Sequence, residues 1–299
     1  MDGETGGNGL KKLLEKPLHT APGQVGQEMV KRYFTHDVAR DSAALTYYLL
    51  FAIFPLLIFI STLVGKLDLD IPAVTAWMGQ VAPAQVVAMV DSYLVYVTEN
   101  HSPQLLWFSL IFSVWFPMRA TGCVLHSMRK AFGKAAPENI LLDTVRNFLY
   151  ALVLIILIGA SIVMTVVGRR ALEFLARFFT LNQRFIDAWS YLRFVLVFVL
   201  LAFAIGTLYM MAQGSRRPLR EVWPGVVTSL VLWMVLSISF SYYVENMANY
   251  AVLYGSIAAI VVVLLWLYMS AAVVILGAEL TAVLQQRKVR MARKGEEAI

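Results

Sequence analysis

Residues 255–280 read GSIAAIVVVLLWLYMSAAVVILGAEL, and Glu279 is the only charged side chain among them. The run is apolar on every side rather than along one stripe, so as a helix it cannot hide from water against a single neighbour. Roughly 20 such residues cover the hydrocarbon of a bilayer. Working outward, comparable runs occur at about 43–65, 104–125, 147–167, 192–212 and 225–244. The composition agrees: of 299 residues, 59% are hydrophobic and 15% charged, where soluble domains carry roughly a quarter charged. With no water at membrane depth to satisfy the backbone, the expected fold is all-α. It is a polytopic membrane protein, a six-transmembrane-helix bundle with amphipathic interfacial helices, occupying 28–288. The polar, glycine-rich segment 1–27 reads as a disordered tail and 289–299 as a C-terminal tail.

Six crossings place both ends on one side, and the side follows from Lys and Arg, which favour the cytoplasm. The N-terminal segment, the 126–146 and 213–224 connections and the C-terminal tail hold eighteen of the 25, against six in the other connections. Both termini are therefore expected in the cytoplasm, and the first helix acts as its own insertion signal. The exception is the connection that holds Arg169, Arg170, Arg177, Arg184 and Arg193, where over 169–190 the arginines interleave with Leu172, Leu175, Ala176 and Phe179. Two readings are open: a helix in the headgroup plane, or a solvated helix packed on the bundle. Residues 66–103 read as a second outer excursion with an apolar stripe from Val86 to Val97. Before the first span, Val30, Tyr33, Phe34, Val38 and Asp41, with Lys31, Arg32 and Arg40 between them, read as an interfacial helix. The basic balance, net +6, is what membrane insertion requires and does not call for nucleic acid.

Ionisable groups at membrane depth cost several kcal/mol unless paired, so each needs a partner or a role. Asp41 opens the first span, Arg119 lies within the second and Glu279 closes the sixth. Arg119 is expected to pair with Glu279 or Asp41. Thr46 and Tyr47 continue a polar strip from Asp41, and Pro55 and Pro117 interrupt backbone hydrogen bonding within their spans. Asp41, Thr46, Tyr47, Pro55, Arg119 and Glu279 are thus the candidates for a substrate or coupling site. The competing account is a set of charges that only pins helices together. Glu245 and Asn246 close the fifth span and are candidates for an outer gate, or simply interfacial caps. Gly255 and Ala259 form a small-xxx-small pair suited to close helix approach.

Catalytic patterns are missing. His19, His36, His101 and His126 have no metal-binding spacing, and neither a GxxxxGK[ST] loop nor a Gly-x-Ser-x-Gly elbow occurs. Cys123 is the sole cysteine, which rules out an intrachain disulfide. No enzyme activity, metal or cofactor is expected.

Two end motifs resemble a known family. The run Asp41-Ser-Ala-Ala-Leu-Thr-Tyr-Tyr48 leading to Phe54-Pro-Leu-Leu57, and Tyr254-Gly-Ser256 followed by Leu265-Trp-Leu-Tyr268 and Leu276-Gly-Ala-Glu-Leu280, are similar to the YihY/BrkB family of bacterial inner-membrane proteins. Asp41, Thr46, Tyr47, Pro55, Gly255 and Glu279 match its pattern. The resemblance implies a six-helix inner-membrane protein with cytoplasmic termini. It also brings an association with envelope lipid biogenesis and an older ribonuclease label (ribonuclease BN family) that the residues do not support. The leading expectation is an inner-membrane transporter or flippase-like protein for a lipid or other amphipathic anion. The alternative is a non-transporting scaffold of envelope machinery. Membrane lipids are the expected partners and a homo-oligomer is compatible with the chain; nucleic acid is not expected.

Overall fold

The computed structural model describes residues 21–66, 92, 103–135, 137, 139–175, 183–214, 219–246 and 256–296. Among them are seven α-helices and no strand: α1 (Ala21–Thr35), α2 (Val38–Lys66), α3 (Pro103–Ala131), α4 (Ile140–Leu175), α5 (Gln183–Gln213), α6 (Trp223–Asn246) and α7 (Ser256–Glu296). A 3-10 turn, Leu219–Glu221, precedes α6. Helices α2 to α7 each contain a segment long and apolar enough to cross a membrane, as the runs in the sequence predict.

The helices outreach the spans. Helix α4 has 36 residues and α7 has 41, about 54 and 62 Å at ~1.5 Å per residue, against ~30 Å of hydrocarbon. This corrects the expectation of a separate helix over 169–190. Residues 169–175 continue α4 and 183–190 begin α5, because no proline intervenes to stop either helix. The proposed tails shorten likewise. Residues 21–27 already belong to α1, where Pro22 suits a first turn, and α7 runs on to Glu296. The expected apolar stripe at 86–97 lies almost wholly outside the described residues.

The chain forms two compact units. The first comprises Met1–Thr46, Gly122–Ile140 and Leu201–Ile299; the second Tyr47–Thr121 and Leu141–Leu200. In the second, Phe51 of α2 meets Phe116 of α3 at 5.7 Å between ring centroids, and Phe116 also contacts Phe112 and Trp115. In the first, α7 packs against α1 and α6. The α6–α7 crossing is close enough that only glycine fits. A Cβ at Gly225 would collide with Thr281 Oγ1 and the Gly277 carbonyl, and one at Gly277 with Ser229 Oγ and Tyr209 Oη. Two motifs, Gly225-x-x-x-Ser229 and Gly277-x-x-x-Thr281, thus face one another. Tyr209 of α5, fully buried, links all three helices: its hydroxyl lies 2.8 Å from Ser229 Oγ and donates to the Val274 carbonyl at 2.6 Å. The small-residue pair expected at Gly255 and Ala259 is not described, since Gly255 and the Ala259 side chain lie outside the described residues.

Outward, Val227, Val231, Val235, Ile238 and Tyr242 of α6 are all exposed. Their three- and four-residue spacing makes one apolar stripe, the surface a lipid-facing helix presents.

Candidate functional site: a buried ion network around Glu279

Helix α1 ends at Thr35, and the chain turns at His36 and Asp37 before α2 begins at Val38. Asp37 adopts a left-handed conformation, φ +56°, which Asp tolerates better than most residues. The turn interrupts the interfacial helix expected from Val30 to Asp41, which is two helices. It also brings Arg32 and His36, four residues apart and on one face, against Glu279 of α7.

Helix α3 ends beside them in a Schellman arrangement. Gly133, φ +64°, donates its N–H to the Lys130 carbonyl at 3.0 Å, and Lys134 donates to the Arg129 carbonyl at 2.8 Å. The Ala131 carbonyl at this end accepts a hydrogen bond from Arg32 Nη1 at 3.1 Å, a cation at the negative pole of the helix.

Arg32 uses most of its planar fork. Nη1 also donates to Glu279 Oε2 at 3.2 Å, Nη2 to Gln286 Oε1 at 2.7 Å and Nε to Glu28 Oε1 at 3.2 Å. His36 Nδ1 lies 2.6 Å from Glu279 Oε1. Glu279, wholly buried, is therefore bound on both oxygens. Lys130 joins a second acid to the set, donating to the His36 carbonyl at 3.0 Å and approaching Asp41 Oδ2 at 2.5 Å. That approach lies outside hydrogen-bond angles, and Oδ2 has no hydrogen-bond partner; the attraction is that of an ion pair. Arg40 Nε stands 3.6 Å from Asp41 Oδ1.

Chemically this is a near-neutral buried cluster in which two carboxylates face Arg32, Lys130 and a histidine. It can hold an anion's place, or carry a proton between Glu279 and the half-exposed His36. Among the described residues no group of three or more His, Cys, Asp or Glu could hold a metal ion.

The sequence profile of the virulence factor BrkB family matches residues 29–298. The chain belongs to the BrkB family. It is 29% identical over 262 residues to the ribonuclease-like protein YfkH of Bacillus subtilis, covering 88% of this chain and 95% of that one. A UPF0761 membrane protein of Chromohalobacter salexigens is 25% identical over 287 residues, 93% of this chain and 67% of that protein. A UPF0761 membrane protein of Alteromonas mediterranea is 35% identical, but over 82 residues, 27% of each chain. No solved structure matches.

In this BrkB-family chain the structure brings some of the expected site residues together. Asp41, Thr46 and Glu279 fall in the first unit; Tyr47, Pro55 and Arg119 fall in the second. Each unit is described by the contacts within it. Glu279 is held by Arg32 and His36, Asp41 by Lys130 and Arg40, and Arg119 is exposed, its guanidinium carbon 5.8 Å from the centre of the Tyr48 ring. Asp41 lies in the first turn of α2 and Lys130 in the last of α3, whereas Arg119 is eleven residues before Lys130, ~16 Å along the helix.

Thr46 is buried but donates its hydroxyl to the Ser42 carbonyl at 2.7 Å, and Ser42 to Val38 in the same way. Both hydroxyls are thus bonded to their own helix. Tyr47 is exposed and rests on Phe51, 4.6 Å between centroids. Pro55 is buried within α2, and Pro117 lies inside α3, both helices continuing through. Glu245 and Asn246 end α6, and their side chains lie outside the described ones. Sequence reasoning missed Arg32, His36 and Lys130 as members of the site. The available signal was the four-residue spacing of Arg32 and His36 one turn before Asp41.

Proposed function

We propose that this protein is an inner-membrane transporter or flippase-like protein for an anionic, amphipathic substrate of lipid type, with both termini cytoplasmic and no enzyme activity. The observation that carries the reading is the network around Glu279. Two acids, two strong bases and a histidine are gathered where spans begin and end, a costly arrangement in lipid that marks ion or substrate paths in membrane proteins. Arg32 and Lys130 supply the cationic partners an anionic headgroup needs, and His36 with Glu279 supplies a group able to exchange a proton. The orientation rests on the distribution of Lys and Arg. No phosphate-binding loop accompanies the network, so a gradient or a partner would supply the energy.

A scaffold in envelope assembly is favoured by a different observation. The carboxylates are already paired, and the Gly225–Gly277 crossing leaves no space between α6 and α7. The ribonuclease-like name of YfkH belongs to that protein; metal-dependent hydrolysis would need clustered ligands, which the Glu279 network, with its carboxylate occupied by Arg32 and His36, does not offer.

The test is reconstitution of purified protein into vesicles with fluorescent phosphatidylglycerol or phosphatidylethanolamine in one leaflet. Transport predicts transbilayer movement that Glu279→Gln and His36→Ala slow at least tenfold while the protein stays folded. Protein that moves neither lipid at rates above empty vesicles, and whose Glu279→Gln variant behaves identically, leaves the scaffold.

A further inference from the structure

We propose that the groove bounded by the Leu219–Glu221 turn, the start of α6 and the basic end of α7 is a headgroup site for an anionic phospholipid, separate from the Glu279 network. The groove encloses about 640 Å³ and is lined by Arg220, Glu221, Pro224, Leu284, Lys288 and Val289 among others. Its floor is ordered by a polar chain. Gln213 Nε2 donates to Gln285 Oε1 at 2.8 Å, and Gln285 Nε2 to the Glu221 carbonyl at 3.3 Å.

Charge, depth and polarity select the occupant. Arg220 and Lys288 are exposed, and among the described residues neither forms an ion pair within the protein. The N-terminus of α6, a 24-residue helix, opens at Trp223 beside them and adds its positive pole. With Glu221 included, the charged lining residues amount to one net positive charge, suited to the single negative charge of a phosphodiester. The membrane candidate segment of α6 begins at Trp223, whose half-exposed indole sits where an interfacial anchor belongs. The groove therefore opens at headgroup level. Pro224, Leu284 and Val289 provide the apolar side along which acyl chains would lie. Basic pockets between membrane helices bind anionic headgroups by this combination. The inference does not depend on transport: a scaffold would carry the same site.

The test uses the full chain in detergent, exposed to phosphatidylglycerol or phosphatidylcholine of identical acyl chains, with bound lipid counted by native mass spectrometry. Phosphatidylglycerol is expected to bind about tenfold or more tightly than phosphatidylcholine, because each basic residue near the membrane surface attracts an anionic headgroup. The double variant Arg220→Gln/Lys288→Gln should erase that preference, while the charge-matched Lys31→Gln/Arg293→Gln retains it. Val289→Trp, which fills the groove and leaves both bases, should also abolish it, covering the case in which the double variant misfolds. Equal binding of the two lipids overturns the proposal, and so does a preference that survives both groove variants. A loss of equal size in the two charge variants points to diffuse surface charge and overturns it too, as does displacement of bound phosphatidylglycerol by soluble glycerol phosphate at equal concentration.

Discussion

Arg32 and Glu279 are 247 positions apart in the chain, and their contact is worth most when one considers removing half of it. A buried ion pair gains little over an apolar pair of the same volume, but stripping one partner leaves an unpaired charge costing about 3–5 kcal/mol. Arg32→Ala exposes Glu279 Oε2, the Ala131 carbonyl and Gln286 at once. It is expected to lower thermal stability in detergent by about 3 kcal/mol or more, measured by fluorescence-detected unfolding. Arg32→Lys should fall between, because an ammonium cannot reproduce the fork. Pairing Arg32→Met with Glu279→Met should recover part of the loss; if the double variant is no better than Arg32→Ala, the ion pair is not what the network contributes. Tyr209 poses a smaller case. Tyr209→Phe removes two hydrogen bonds within a close-packed crossing and should cost about 1–2 kcal/mol in the same assay.

At the scale of elements, the α6–α7 crossing depends on backbone-to-backbone approach, so the decisive variants are at glycine. Gly277→Ala and Gly225→Ala would each drive a methyl group into carbonyl or hydroxyl oxygens of the neighbouring helix, and each should cost about 1–3 kcal/mol. Gly206→Ala provides the contrast. Its methyl group would only touch Val226 Cγ2 at 3.8 Å, and removing a mid-helix glycine should leave stability unchanged or raise it by about 0.5–1 kcal/mol. Equal effects at 206 and 277 would deny the crossing. The six spans were legible because each is a long apolar run with at most one charged residue, a property local to the sequence. The crossing was not. Small residues four apart occur at 225/229 and 277/281 as well as at 255/259, and spacing cannot say which faces a partner. The ion network was half legible for a related reason. Asp41 and Glu279 stand out as acids at span ends, but Arg32 and Lys130 look like the bases any cytoplasmic flank carries, and only the turn at Asp37 and the cap at Gly133 single them out. Arg119, conspicuous in sequence, lies over the Tyr48 ring.

For the whole molecule, the question is which face each end occupies, and helix length makes the answer measurable. Since α4 and α7 outreach the ~30 Å hydrocarbon by more than 20 Å, residues near their ends stand in water whichever way the protein is inserted. Lys31 and Arg293 lie in α1 and α7 on the flanks rich in Lys and Arg, and Arg170 lies near the end of α4, in a connection that is itself basic and so weakens the charge argument. Single cysteines at these three positions, in a Cys123→Ser background, separate the alternatives. With cytoplasmic termini, a membrane-impermeant maleimide added to spheroplasts should label Arg170→Cys and spare Lys31→Cys and Arg293→Cys, and inverted vesicles should give the reverse. The opposite pattern would mean that the arginines of 169–193 outweigh the flanks. Lys31→Cys and Arg293→Cys labelled from opposite sides would break the six-crossing topology itself, and with it the contact between α1 and α7 through which Arg32 reaches Glu279.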